Sequence, residues 1–186
     1  MKTIIRTLVV LICLSALILC FVGCNNTPLH VFKFNTPDNF DTLSVEEQLD
    51  WARKNGYLVI NYVDGKPVVE NKEKLNSFLE NKSGEKELLI IKCDKYEDGL
   101  KCTFAGIYFD GKQYHAVGKL GASNKEWTSI YKYDICDIEE YEGRKYLYVS
   151  NGSTLTYKDE LNTMFSSSLE VHTEFAKKYF SIMRIE

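Results

Sequence analysis

A series of glycine-ending dipeptides cuts the second half of this chain into short pieces: Asp98-Gly99, Asp110-Gly111, Glu142-Gly143 and Asn151-Gly152, with Asp64-Gly65 further upstream. Asp-Gly and Asn-Gly are the strong short-range hairpin signals, because a two-residue type I′ turn needs positive φ at both central residues. The pieces between them are rich in Val, Ile, Tyr, Phe and Thr, as strands are. The spacing predicts strands over 57–63, 87–96, 100–110, 112–118, 127–140, 144–150 and 153–157. Residues 119–126 read as a loop. Lys66 to Glu70 is an edge strand or a loop, since Pro67 cannot donate a ladder hydrogen bond.

Helical signals cluster earlier. Ser44-Val45-Glu46-Glu47 has the form of a capping box, in which Ser44 and Glu47 each satisfy the other's free amide. Val45, Leu49 and Ala52 then share one face, and Asn55-Gly56 ends the helix. Asn71 opens a second helix with Leu75, Phe78 and Leu79 aligned, closed by Ser83-Gly84. Asp159 to Phe165 has the pattern of a short helix. The C-terminus is two-faced. Leu169, His172, Phe175, Ala176, Tyr179 and Met183 form a helical stripe, while 179–185 also alternates as a strand. The expectation taken here is helix. The fold class is therefore α+β: an antiparallel β-meander packed with two N-terminal helices and a C-terminal helix.

The N-terminus carries an address. Lys2 and Arg6 form a basic n-region, and residues 8–22 form an apolar run broken only by Ser15. The run is shorter than the roughly 18 apolar residues that suggest a membrane span, although an uncleaved anchor is the alternative. Phe21-Val22-Gly23-Cys24 closes it. This ending resembles a bacterial lipoprotein signal, from which only Phe21 departs, where Leu, Val or Ile is usual. The resemblance implies that residues 1–23 are removed as a signal peptide. It also implies that Cys24 receives a diacylglyceryl thioether. Two acyl chains anchor a protein stably, whereas one does so marginally. Cys20 is a poor competing site because bulky Leu19 precedes it. Residues 24–43, with two prolines and no sustained period, read as a tether, or Val31 to Phe34 docks as an edge strand. Residues 44–186 are then a single domain.

Cleavage before Cys24 leaves 163 of the 186 residues, enough for one domain core. The formal charge moves from −3 to −5, because Lys2 and Arg6 leave and no acidic residue does. A mildly acidic domain has no electrostatic reason to bind nucleic acid or an anionic surface. The expected contact with the lipid bilayer is the acylated Cys24 itself.

Cys93, Cys102 and Cys136 remain in the mature chain, an odd number for a disulfide framework. Isolated cysteines usually serve as small buried hydrophobes. Cys93 and Cys102 flank the Asp98-Gly99 turn. If the loop is Tyr96 to Gly99, Cys93 faces Cys102 across the pair, and a bridge can close. If the loop is Asp98-Gly99 alone, Cys93 faces Phe104 instead. Cys136 is left as a buried thiol in either register.

The order of segments carries a second resemblance. Tyr57-Leu58-Val59-Ile60-Asn61, Gly65-Lys66, the helix from Asn71 through Leu75 and Phe78, and the strand Leu88 to Cys93 set its frame. Tyr108-Phe109-Asp110-Gly111-Lys112, Tyr133-Asp134-Ile135-Cys136 and Tyr146-Leu147-Tyr148 complete it. This order resembles a family of small lipoproteins of Gram-positive bacteria that pair a lipobox leader with a domain of unknown function. The match covers about two thirds of the mature chain and ends before the region beyond Tyr157. It rests on turns and core positions. It implies display on the extracytoplasmic face of the cell membrane, and it brings no catalytic residues or cofactor. Lipoproteins of this kind often lack disulfides, which weighs against the bridge.

Chemistry-bearing patterns are few. There is no His-Glu-x-x-His, Gly-x-Ser-x-Gly, phosphate-binding Gly-rich loop or Cys-x-x-Cys. No catalytic residue and no metal ligand is assigned. His30 falls in the tether, and His172 on the C-terminal stripe. His115 lies in a strand, where Cys102 or Cys136 is the thiol that strand geometry would offer it. Asp137, Glu139, Glu140 and Glu142 lack the ligand and glycine alternation of a calcium loop and read as a solvated strand end. Twelve tyrosines suit cross-strand packing or an aromatic platform for a glycan or peptide.

These features point to a lipid-anchored extracytoplasmic domain that binds a protein or cell-wall partner and is not an enzyme. The alternatives are an extracytoplasmic hydrolase and an accessory subunit of a membrane complex. A deep pocket holding His115 with cysteine or carboxylate neighbours points to the enzyme. A flat tyrosine face without such a pocket points to binding.

Overall fold

The computed structural model describes residues 29–80, 83–96, 99–120, 126–129, 131–151, 163, 166–172 and 179–186. Cys24, the expected strand 153–157 and most of the expected helix 159–165 lie outside the described residues.

The strands, in chain order, are β1 (Val31–Lys33), β2 (Leu58–Val63), β3 (Lys66–Glu70), β4 (Lys86–Tyr96), β5 (Gly99–Phe109) and β6 (Tyr114–Leu120). They continue as β7 (Glu126–Thr128), β8 (Lys132–Tyr133), β9 (Ile135–Tyr141), β10 (Arg144–Ser150) and β11 (Tyr179–Arg184). Helix α1 is Val45–Lys54 and α2 is Lys72–Glu80. A 3-10 turn, Phe40–Thr42, precedes α1. The class is α+β.

The main sheet has six strands in the order β3-β2-β4-β5-β6-β8. It is mixed and not a pure meander. β4, β5 and β6 run antiparallel in succession, but β2 pairs parallel to β4, with Leu58 opposite Ile90. Parallel neighbours need a crossover, and β3 with α2 supplies it. β3 is the edge strand, so Pro67 sits where its missing donor costs least.

Alternation along the strands gives this sheet two buried faces. Leu58, Ile60, Ile90 and Ile107 point to one side, with Leu75 and Phe78 of α2. A three-stranded sheet, β11-β10-β9, closes that side with Cys136, Leu147, Val149 and Met183. Val59, Ile91 and Phe104 point to the other side, under Leu49 and Ala52 of α1. Each large side chain removed from water in this way contributes about 1.5–3 kcal/mol.

The second face also takes the segment before α1. Phe32, Phe34 and Phe40 are all buried there. β1 pairs with β7, with Phe32 opposite Trp127. The docked strand, and not a free tether, describes residues 31–34. The Tyr57 hydroxyl donates to the Phe34 carbonyl and fixes that segment from below. At the other end of the chain, the C-terminal helix is corrected. Residues 169–172 make one helical turn with Leu169 exposed, and Tyr179–Arg184 is a strand beside β10. Met183 and Ile185 are buried there. The two-residue alternation won because β10 offers an open ladder edge, which a helix would have left unpaired.

The expected long strand 127–140 is also corrected. It divides into β7, β8 and β9, which belong to three different sheets. The chain bends at Asp134, where its amide bonds the Ser150 carbonyl at 3.1 Å and Asn151 Oδ1 at 3.1 Å. The turns differ among themselves as well. Asp64-Gly65 and Glu142-Gly143 have both residues at positive φ, as type I′ geometry requires. At Asp110-Gly111 only Gly111 does, because the loop runs on through Lys112 and Gln113.

Candidate functional site

The β5–β6 turn, the start of β4 and the strand entering β1 enclose a cleft of about 440 Å³. Its wall includes His30, Tyr108, Asp110, Lys112 and His115. Asp110 and His115 are brought together by the hairpin. Their strands pair with Tyr108 opposite His115, so the aspartate at the turn lies just beyond the histidine ring. Asp110 Oδ2 is 3.1 Å from His115 Nε2. Asp110 Oδ1 accepts hydrogen bonds from the backbone N–H groups of Lys112 and Gln113, both at 2.8 Å. Burial alone would push this carboxyl up. The hydrogen bonds from Gln113, His115 and Lys112 outweigh it and hold the pKa at about 2.

His115 is 1% exposed and has a partner at each ring nitrogen. Ser129 Oγ lies 3.2 Å from Nδ1, and the His30 backbone N–H donates to the same nitrogen across a long 3.5 Å. The His30 N–H directed at Nδ1 suits the tautomer that carries its proton on Nε2, towards Asp110. Ser129 is equally tied down, with its backbone N–H donating to the His30 carbonyl at 3.0 Å. The side chain of His30 stacks on Tyr108, with ring centroids 3.6 Å apart and planes 10° from parallel. His30 Nε2 reaches Glu87 Oε2 at 2.6 Å. Burial and then a hydrogen bond to Glu85 push the Tyr108 hydroxyl up to about 12, so it remains a donor.

This network contains the residue types of a hydrolytic triad, but their roles are exchanged. In a working triad the carboxylate orients Nδ1–H and Nε2 faces the nucleophile. Here the carboxylate holds Nε2, and Ser129, 1% exposed, faces Nδ1. Both ring nitrogens of His115 have partners within the protein. The arrangement holds β1 and β7 onto the sheet, and the groups it presents to the cleft are charged and aromatic.

Neither thiol that strand geometry could offer His115 lies beside it. Cys102 is joined to Cys93 in a disulfide between β4 and β5, in the register that sets the two residues opposite each other. Cys136 is a buried free thiol in the core on the other face of the sheet. Burial, with Asp137 nearby, pushes that thiol up to about 12 and makes it a poor nucleophile. His172 is exposed and donates to the Ser166 carbonyl at 2.8 Å. Asp137 and Glu140 are exposed along β9. Among the described residues no group of three or more His, Cys, Asp or Glu is placed to hold a metal. The tyrosines whose side chains are described are buried or half-buried, and none forms a flat exposed platform.

The sequence reading missed Asp110, Ser129 and His30 as the company of His115, and Glu87 as the partner of His30. Only Asp110 was within reach, because it sits across a recognised turn. His30 and Ser129 come from segments 85 and 14 residues away.

The chain matches no protein-family model, no curated protein and no solved structure. Among the described residues no helix is long and apolar enough to cross a membrane.

Proposed function

We propose that this chain is a lipid-anchored extracytoplasmic domain that binds a ligand or partner and catalyses no reaction. In this reading the signal-like leader is removed, and acylated Cys24 holds the protein to the cell membrane. The displayed unit is the mixed six-stranded sheet with α1 and α2 packed on its faces. The observation that supports binding over catalysis is the state of His115: it borders the cleft, yet both ring nitrogens are held by Asp110 and Ser129. The cleft offers recognition groups, and its histidine is already engaged within the protein. Metabolic labelling with a fatty-acid analogue tests the anchor. Wild type should be labelled and membrane-bound, and Cys24→Ser should be unlabelled and released; equal labelling of the two overturns the assignment.

A hydrolase is the second reading. A pocket holding His115 with a carboxylate neighbour, and no flat tyrosine face among the described residues, is the outcome expected of an enzyme. Ser129, His115 and Asp110 also lie within hydrogen-bond reach of one another. A serine-directed fluorophosphonate separates the two. Stoichiometric labelling of Ser129 in the folded protein replaces the binding reading, and no labelling leaves it standing.

A further inference from the structure

The cleft is close to the anchor by covalent necessity. Leu29, His30 and Val31 contribute to its wall, and Cys24 is five residues before Leu29. Whatever conformation the connecting residues take, five residues reach at most about 18 Å at 3.6 Å each. A diacylated Cys24 fixes its sulfur near the headgroup layer, so the mouth of the cleft is confined to the neighbourhood of the bilayer surface. The opposite end of the sheet is not. β2 runs parallel to β4, so the Asp64-Gly65 turn lies about ten residues of strand beyond the start of β4, roughly 30 Å away.

The charge in the cleft is mixed, with acid in excess. Asp110 is ionised, Glu85 faces Tyr108, and Lys112 supplies one cation. Carboxylates close to a single ammonium suit a zwitterion whose positive end is a primary amine, because N–H donors to carboxylates form the stronger, charge-assisted hydrogen bonds. A quaternary ammonium has no such donors. For an anchored domain, headgroups are present at high effective concentration without any need for diffusion.

We propose that the cleft faces the bilayer and takes the amino-phosphate headgroup of a membrane lipid, its ammonium against Glu85 and Asp110 and its phosphate against Lys112. This assignment rests on acylation at Cys24. The test uses the full acylated protein in vesicles, with an environment-sensitive probe on Thr128→Cys, opposite Val31, or on Lys66→Cys at the far turn. Flotation with the vesicles reports the anchor. Protein that does not float overturns the anchor and the proposal together. In floating protein, lipids brominated near the headgroup should quench the Thr128 probe several-fold more than the Lys66 probe. Equal quenching overturns the orientation while leaving the anchor intact. The Thr128 probe should also shift its emission in phosphatidylethanolamine vesicles relative to phosphatidylcholine, and Glu85→Gln should remove that shift. An identical signal in both lipids overturns the headgroup assignment. Complete competition by millimolar glycerophosphoethanolamine overturns the lipid as its source, in favour of a free solute.

Discussion

The ring of Phe32 occupies the space that a side chain on Gly106 would need. A Cβ built on Gly106 falls 2.7 Å from Phe32 Cε1, closer than real contacts allow. Strand β1 therefore lies on the sheet through a ring set directly against the backbone of β5.

Gly106→Ala should lift Phe32 and loosen β1. The expected cost is about 1–3 kcal/mol, the range for overpacked cores. Phe32→Ala should cost about 3–5 kcal/mol through the cavity it leaves. In urea denaturation the double variant should be less destabilised than the sum of the single variants, because removing the ring removes the clash. Strict additivity would show that the two positions do not meet.

Ser44→Ala should cost about 0.5–2 kcal/mol. The Ser44 N–H donates to Glu47 Oε2 at 2.8 Å, and the Glu47 N–H donates to Ser44 Oγ at 3.4 Å. A thermal melt unchanged within error would show that α1 does not depend on its cap.

Denatured, unreduced mature protein should titrate with one free thiol, mapped to Cys136, once acylated Cys24 is set aside. Three free thiols would reject the Cys93–Cys102 bond. In the folded protein Cys136 should alkylate slowly at neutral pH, since its thiol is buried and pushed up to about 12. Replacing Cys93 and Cys102 together by alanine should cost about 2–4 kcal/mol.

Acid should weaken the attachment of β1 through Asp110. Its folded pKa of about 2 lies below the ordinary value of 3.8. A depressed carboxyl contributes stability above its unfolded pKa and loses that contribution as pH falls towards the folded value. The loss, on the order of 2 kcal/mol, should fall between about pH 4 and pH 2. Asp110→Asn should flatten the stability profile across that window. An unchanged acid limb would remove Asp110 from the account.

Much of the fold could be read locally, because hairpin turns and caps act over a few residues. The Ser44 to Glu47 box and the facing of Cys93 and Cys102 depend only on neighbours in sequence or across one turn. The parallel pairing of β2 with β4 does not: it is set by where α2 packs, which no local pattern states. Tyr179 to Ile185 fits both a helix and a strand, and only the open edge of β10 decided between them. The cleft was the least legible part. The sequence placed His115 in a strand with a thiol as the one partner strand geometry could offer, whereas its partners arrive from the β5–β6 turn, from the chain before β1 and from the end of β7.

The division of β7, β8 and β9 among three sheets makes Glu126 to Tyr141 a single thread through separate layers. Each layer keeps its register through its own partners, and this thread stitches them in sequence. A nick at Asp134 would leave the main sheet and the β9–β10–β11 layer each internally paired, joined by their shared core and by a few polar links, among them the Tyr62 hydroxyl donating to the Arg184 carbonyl at 2.9 Å and Lys72 paired with Glu186. The two fragments would then be an associated pair whose union depends on concentration. Cohesion that does not vary with concentration thus rests on an unbroken covalent passage at a point where the chain makes only a bend.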